Sequence, residues 1–557
     1  MSKKTVSRRD FVRATALGGG AMIIAACAAP PATAAPEAAV PAATAVPAAT
    51  AVPAATAVPA PAATAVPAAT AVPAVTGPVP GGSLISTVGV GDISGFLTWQ
   101  ASTAADSGAW SAVFDTLVDY DETYTIVGGL FKSWKSDDGK TWTFTVRKQV
   151  TWHDGQPLVA KHFVEYFDTI LKTDSGAGTE KKATFEGAKY EAVDDYTVKI
   201  VLASPNAALL DDFSTHWLAR TADFDNANPI GTGPYSFVEW KRNQHIKYKK
   251  NLNYWKHGLP YLDELTIKMV PDQDAAIELL TTGEVQAIIS IPFPKVEALS
   301  KNADIQMIEV PEPYRLAYHF LLTKCSAAPW DNPKVRQALN YAVDREAMLA
   351  ATLGYGEVRS NPVSKGSWAF NPDAPAYDKV DLVKAKALMV EAGYTAGKPA
   401  FKTTLKYWKE WFQMPQIAQI VQAGLAEIGI EVELQLLEIG QWVKEISGDL
   451  DYEMALTALV PRWDPSDQLG NAYKTDDGAA LLWKNAAFDK AFAAAAATAD
   501  QAQRTTAFQE CQQIALTECP GTVLNGAPIF AGASVKVQGL IQFNRGYQLY
   551  HKTWLKG

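Results

Sequence analysis

Asp138-Gly139-Lys140-Thr141-Trp142-Thr143-Phe144, then Arg147, then Trp152-His153-Asp154-Gly155-Gln156-Pro157-Leu158, carries two kinds of signal. Residues 141–147 alternate polar and apolar side chains with period two, which predicts a strand with one buried face. Asp154-Gly155 marks a turn, because Gly enters positive φ without a Cβ clash. The same alternation predicts strands at 196–201 and 265–270. Residues 334–350 predict one helix, with Val335, Ala338, Leu339, Ala342 and Val343 on a single face. Residues 383–392 predict a second helix, closed by Gly393. A third, 414–428, leads through Gly429-Ile430 into a strand at 431–437. Helices alternating with strands indicate α/β lobes.

The N-terminus reads as an address. Ser7-Arg8-Arg9-Asp10-Phe11-Val12 holds an arginine pair before apolar residues, and 14–26 is small and apolar. That stretch falls short of the ~20 residues a spanning helix needs, so it reads as an export signal. Ile24-Ala25-Ala26-Cys27 resembles a bacterial lipobox, which implies cleavage before Cys27 and lipid on its sulfur. Residues 28–80 are almost wholly Ala, Pro, Thr and Val, and Glu37 is their only charge. Regular Pro blocks helix and sheet, so a disordered, semi-rigid polyproline II spacer is expected there.

The remaining body is large enough to require two or more lobes. The whole chain carries a net charge of −9, and removing the signal takes away five basic side chains and one acid, leaving it more acidic still. That argues against nucleic acid as a partner. Beyond Cys27 there are three cysteines, Cys325, Cys511 and Cys519. The last two lie on one expected helix, ~12 Å apart along its axis, too far for a disulfide unless the helix ends early.

Further runs follow in order: Gly231-Thr232-Gly233-Pro234-Tyr235, Asn253-Tyr254-Trp255, Gly283-Glu284-Val285, Val335-Arg336-Gln337-Ala338-Leu339, Ala342-Val343-Asp344-Arg345 and Glu391-Ala392-Gly393-Tyr394. Together with residues 138–158, this ordered set resembles the family 5 extracellular solute-binding proteins of ABC importers. That group includes oligopeptide-, dipeptide- and nickel-binding members. The resemblance spans 83–545 and implies an α/β, two-lobed periplasmic-binding-protein (Venus-flytrap) fold. Its first lobe would comprise 83–120, 223–312 and 526–557, with an extra domain at 121–222. The second lobe would be 313–525. The implied protein is a monomeric receptor, lipid-anchored through Cys27 on the outer membrane face or in the periplasm. It closes on a solute and delivers it to a permease.

The expected ligand-binding residues are Trp99, Ser102, Thr103, Trp408, Trp411, Arg462, Trp463 and Asp464. Indole rings offer apolar platforms, and Arg and Asp offer placed polar groups. Peptide-binding relatives place an amine-binding Asp shortly before the Asp-Pro step, where ungapped matching puts Pro461 here. A peptide-like solute is the first expectation, and an oligosaccharide stacked on tryptophan is the alternative. An envelope hydrolase is the rival of another class. His153-Asp154 is its only adjacent acid–base pair, but the turn reading already accounts for those residues. The chain has no G-x-S-x-G, Walker A or H-E-x-x-H motif, and its seven histidines lack ligand spacing. No enzyme activity, cofactor or metal is expected.

Overall fold

The computed structural model describes residues 77–100, 103–121, 123–173, 179–310, 315, 317–395, 397–408, 413–475, 480–543 and 545–557. The export signal, Cys27 and most of the spacer lie outside the described residues, as do Ser102 and Trp411.

The strand expected from Trp142 and Phe144 is Thr141–Val146, with those two side chains and Val146 buried and the threonines turned outward. It pairs antiparallel with Phe131–Lys135 and Thr197–Val201 in a four-stranded sheet completed by Lys189–Asp194. The helix Lys161–Lys172 lays Phe163, Tyr166, Phe167 and Ile170 on that sheet. The Phe131 ring lies 4.5 Å from those of both Phe144 and Phe163.

Two larger sheets form the lobes. The first runs in the order Ile305–Glu309, Phe530–Ser534, Ala287–Ile288, Ser83–Val88, Glu264–Met269, His245–Lys250, Tyr235–Lys241. Its central strand Ser83–Val88 is parallel to both neighbours. The second runs Glu357–Val358, Gly521–Gly526, Tyr318–Thr323, Met454–Leu459, Phe401–Trp408, Ile430–Leu437. Tyr318–Thr323 is buried along its whole length, as a strand covered on both faces must be. The chain passes between the sheets twice, after Ile305–Glu309 and after Gly521–Gly526, and Ala527 N–H donates to Ala317 O across the two passages at 3.0 Å.

The expected helix 334–350 is two helices, Pro333–Ala342 and Arg345–Ala351. Val343 is extended, and the Asp344 carboxylate accepts the Ala347 N–H at 2.8 Å as the second helix's cap. Buried Arg345 then donates to the carbonyls of Asn340, Tyr377 and Val523. Cys325, Cys511 and Cys519 are free thiols; the helix Gln501–Glu518 continues past Cys511 and ends at Cys519.

Gly231-Thr232-Gly233 explains the His153-Asp154 pair. Gly233 N–H donates to Val113 O at 2.9 Å, and a Cβ on Gly231 would sit 1.9 Å from that oxygen. His153 Nδ1 accepts the Gly231 N–H at 3.3 Å, so Nε2 carries the proton and donates to Gly233 O at 3.1 Å. Burial lowers the pKa of His153 to about 4, which keeps that neutral tautomer in place. Asp154 pairs with Arg220 at 2.6 Å. Gly231→Ala is expected to cost about 1–3 kcal/mol or more, because the colliding atom is backbone and cannot rotate away. Urea unfolding of the variant beside wild type measures it.

Candidate functional site

Each sheet directs the carboxyl ends of its parallel strands toward one cavity of about 610 Å³. On the first lobe, Gly89 and Val90 follow Ser83–Val88, Gln273 follows Glu264–Met269, and Ile289 and Ser290 follow Ala287–Ile288. On the second, Val460 follows Met454–Leu459, and Gln413 precedes the helix Met414–Ala426. Loops beyond the carboxyl ends of strands are where α/β sheets hold ligands. The volume lies within the ~300–1,000 Å³ of small-molecule sites. The wall is largely apolar, with Ile291, Phe293, Ile529 and Phe530, and carries a few polar groups. Its one charged side chain among the described residues is Arg545.

Thr103 lines this cavity and also caps the helix Ala104–Val113. Its hydroxyl accepts the Asp106 N–H at 3.2 Å, while the Asp106 carboxylate accepts the Thr103 N–H at 2.8 Å. The other expected residues that fall among those described do not line this cavity. Trp99 packs edge-on against Phe224 at 4.8 Å, between the cores of the first lobe and its extra sheet. Trp408 is buried against Trp442 at 4.6 Å in the second-lobe core. Asp464 caps the helix Pro465–Tyr473 and pairs with Arg504 at 2.8 Å. Its carboxylate is thereby committed to the second lobe.

Arg462 and Trp463 join the lobes. Arg462 leaves the second-lobe strand Met454–Leu459 and meets Asp211 at 3.3 Å and Asp212 at 2.9 Å. Both acids lie on the short helix Leu209–Phe213 of the extra domain. Asp467 holds the same guanidinium at 3.0 Å, and the Tyr120 hydroxyl donates to Asp211. Trp463 lies on Tyr124 at 5.4 Å, Tyr124 on Phe543 at 5.8 Å, and Phe543 on Tyr547 at 5.0 Å, which reaches the cavity wall. A second contact is Ala207 N–H to Ala496 O at 3.2 Å. The cavity is therefore bounded on one side by a polar and aromatic clasp. Neither acid of the clasp was singled out in the sequence, since an Asp-Asp pair in a short helix has no motif.

Burial pushes the pKa of Asp211 up to about 7, against the opposing pull of Arg462 and with the help of Asp464. Burial also raises Asp212, again opposed by Arg462. Among the described residues no group of three or more His, Cys, Asp or Glu side chains is placed to hold a metal ion.

Two facing α/β lobes, joined by two passages and enclosing a solute-sized cavity, define a solute-binding receptor. Residues 125–480 match the bacterial extracellular solute-binding proteins, family 5 Middle, and the chain belongs to that family. It is similar to the glutathione-binding protein GsiB of Salmonella choleraesuis, 30% identical over 406 residues, which are 69% of this chain and 77% of that protein. It is also similar to the periplasmic binding protein DppA of Helicobacter pylori, solved with the peptide STSA. There the TM-score is 0.70 at 25% identity, covering 86% of this chain and 99% of that one. The ABC transporter substrate-binding protein CtaP of Listeria monocytogenes gives a TM-score of 0.75 at 26% identity, covering 86% and 100%.

Removing the Arg462 charge takes the counter-charge from two buried acids, at about 3–5 kcal/mol if the clasp stayed shut and the acids stayed ionised. Arg462→Met is therefore expected to shift the lobes open and weaken solute binding about 100-fold, read by small-angle scattering and calorimetry. Asp211 has a raised pKa in the clasp and an ordinary one, 3.8, when exposed to water. Its contribution to closure is complete below about pH 4 and is lost as pH rises toward 7. Asp211→Asn is expected to flatten the slope of closure against pH across that window; an unchanged slope would assign it to other groups.

Proposed function

We propose that the chain captures a peptide-like solute between its lobes and delivers it to the permease of an ABC importer. It works as a monomer, and the solute leaves chemically unchanged. The observation that carries this reading is the cavity where the carboxyl ends of both sheets converge, with the Arg462 clasp beside it. The similar proteins named for glutathione binding and solved with a peptide support the choice of solute. The cavity wall is largely apolar, with Phe293, Phe530 and Tyr547 as its aromatic rings among the described residues. The hydrolase reading loses its acid–base pair, because His153 holds the Gly231–Gly233 turn and Asp154 holds Arg220.

The proposed setting is outside the cytoplasm. The twin-arginine signal would export the chain, lipid on Cys27 would hold it to the membrane, and 28–80 would act as a tether. In the proposed division, 83–120, 223–312 and 526–557 form the first lobe, 121–222 its extra domain and 313–525 the second.

A thermal-shift screen of peptide and oligosaccharide libraries tests the solute class. A site ligand at 100 times its Kd is expected to add ~2.7 kcal/mol. Stabilisation by sugars alone would reverse the preference, and turnover of any solute would end the receptor reading. Cys27→Ser is expected to move the protein from the membrane to the soluble fraction after export, followed by fractionation and by mass spectrometry of the N-terminal peptide.

A further inference from the structure

Arg545 differs from every other arginine among the described residues. Arg147, Arg220, Arg242, Arg315, Arg336, Arg345, Arg359, Arg462 and Arg504 each donate to a carboxylate or a carbonyl. Arg545 has no hydrogen-bond or ion-pair partner among the described residues, although the chain is acidic overall. It is also the one charged side chain on the described wall of the 610 Å³ cavity. It borders a second space of about 190 Å³ with Tyr318, Pro461, Arg462 and Asp467, the last two paired with each other, so it stands where the two adjoin.

Its position is built. Arg545 lies at the tip of a hairpin whose arms are Ile541–Gln542 and Gln548–Leu549. The turn closes through Phe543 N–H to Tyr547 O at 2.8 Å and Gly546 N–H to Phe543 O at 2.9 Å. The buried Gln548 carboxamide ties the hairpin to the central strand of the first lobe, accepting from the Ser86 hydroxyl at 2.9 Å. A half-buried guanidinium on a fixed turn, facing an otherwise neutral and mostly apolar wall, suits a planar anion that accepts two parallel hydrogen bonds.

We infer that Arg545 anchors a carboxylate of the solute, so that the cavity takes an anionic end together with an apolar body. This rests on the reading of the cavity as the solute site. The carboxylate is either a peptide's C-terminus or an acidic side chain, and the chemistry at Arg545 is the same for both.

The test is calorimetry on the full chain with a panel of tri- and tetrapeptides of Ala and Leu. Each is presented as the free acid, as the C-terminal amide, as the amide with one Glu added, and as the N-acetylated acid. Amidation is expected to weaken binding about 10- to 100-fold. Arg545→Gln is expected to abolish that discrimination without moving the melting temperature of the empty protein, and Arg545→Lys to restore part of it. Recovery of affinity by the Glu-bearing amide assigns the contact to side-chain carboxylates; failure to recover assigns it to the C-terminus. Equal binding of acid and amide, or a free-acid preference that survives Arg545→Gln, overturns the anchor while leaving the receptor reading in place. Absence of binding by every peptide in the panel overturns the peptide reading itself and the anchor with it.

Discussion

Two adjacent buried carboxylates, Asp211 and Asp212, face one guanidinium, Arg462, from the other lobe. Burying either acid as a carboxylate without a counter-charge costs several kcal/mol, and Arg462 offsets part of that cost where the extra domain meets the second lobe. Asp467 holds Arg462 from within its own lobe, so the cation keeps a partner when the lobes part. An interface of this kind can open and reclose without leaving an orphaned guanidinium.

The clasp and the cavity share a boundary. Trp463, Tyr124, Phe543 and Tyr547 run ring to ring from the ion pairs to the cavity wall. Phe543 and Tyr547 flank Arg545 on the hairpin. A solute that displaces Arg545 or Tyr547 would press on the same aromatic row that Trp463 closes. The aromatic row thus places the clasp and the cavity wall in direct contact through packed rings and a short turn.

Much of the local structure was legible. The period-two run at 141–147 became a strand with its apolar face buried, and Gly393 follows the helix Leu382–Glu391 in positive φ. The family motifs proved to be fold-making, with Gly231 and Gly233 against Val113 O and His153 clamping the turn. The break at Val343 was missed because apolar periodicity continues through it, while the cause is a cap at Asp344 and the distant acceptors of Arg345. Trp99 and Trp408 do not line the cavity. Indole is as useful to a core as to a solute, and Trp99 and Trp408 lie in or between cores.

The sequence by itself determined many of the elements and turns, and the family, because periodicity, capping and glycine conformation act over a few residues. It also marked the Arg462-Trp463-Asp464 loop as unusual. Only the tertiary structure decided what that loop does: Arg462 meets acids some 250 positions earlier, and Asp464 spends its charge on Arg504. Arg545 carries no motif and gained its significance from what surrounds it. Whether a charge is paired or left facing a cavity depends on segments distant in the chain, and that is settled only when the two sheets are brought face to face.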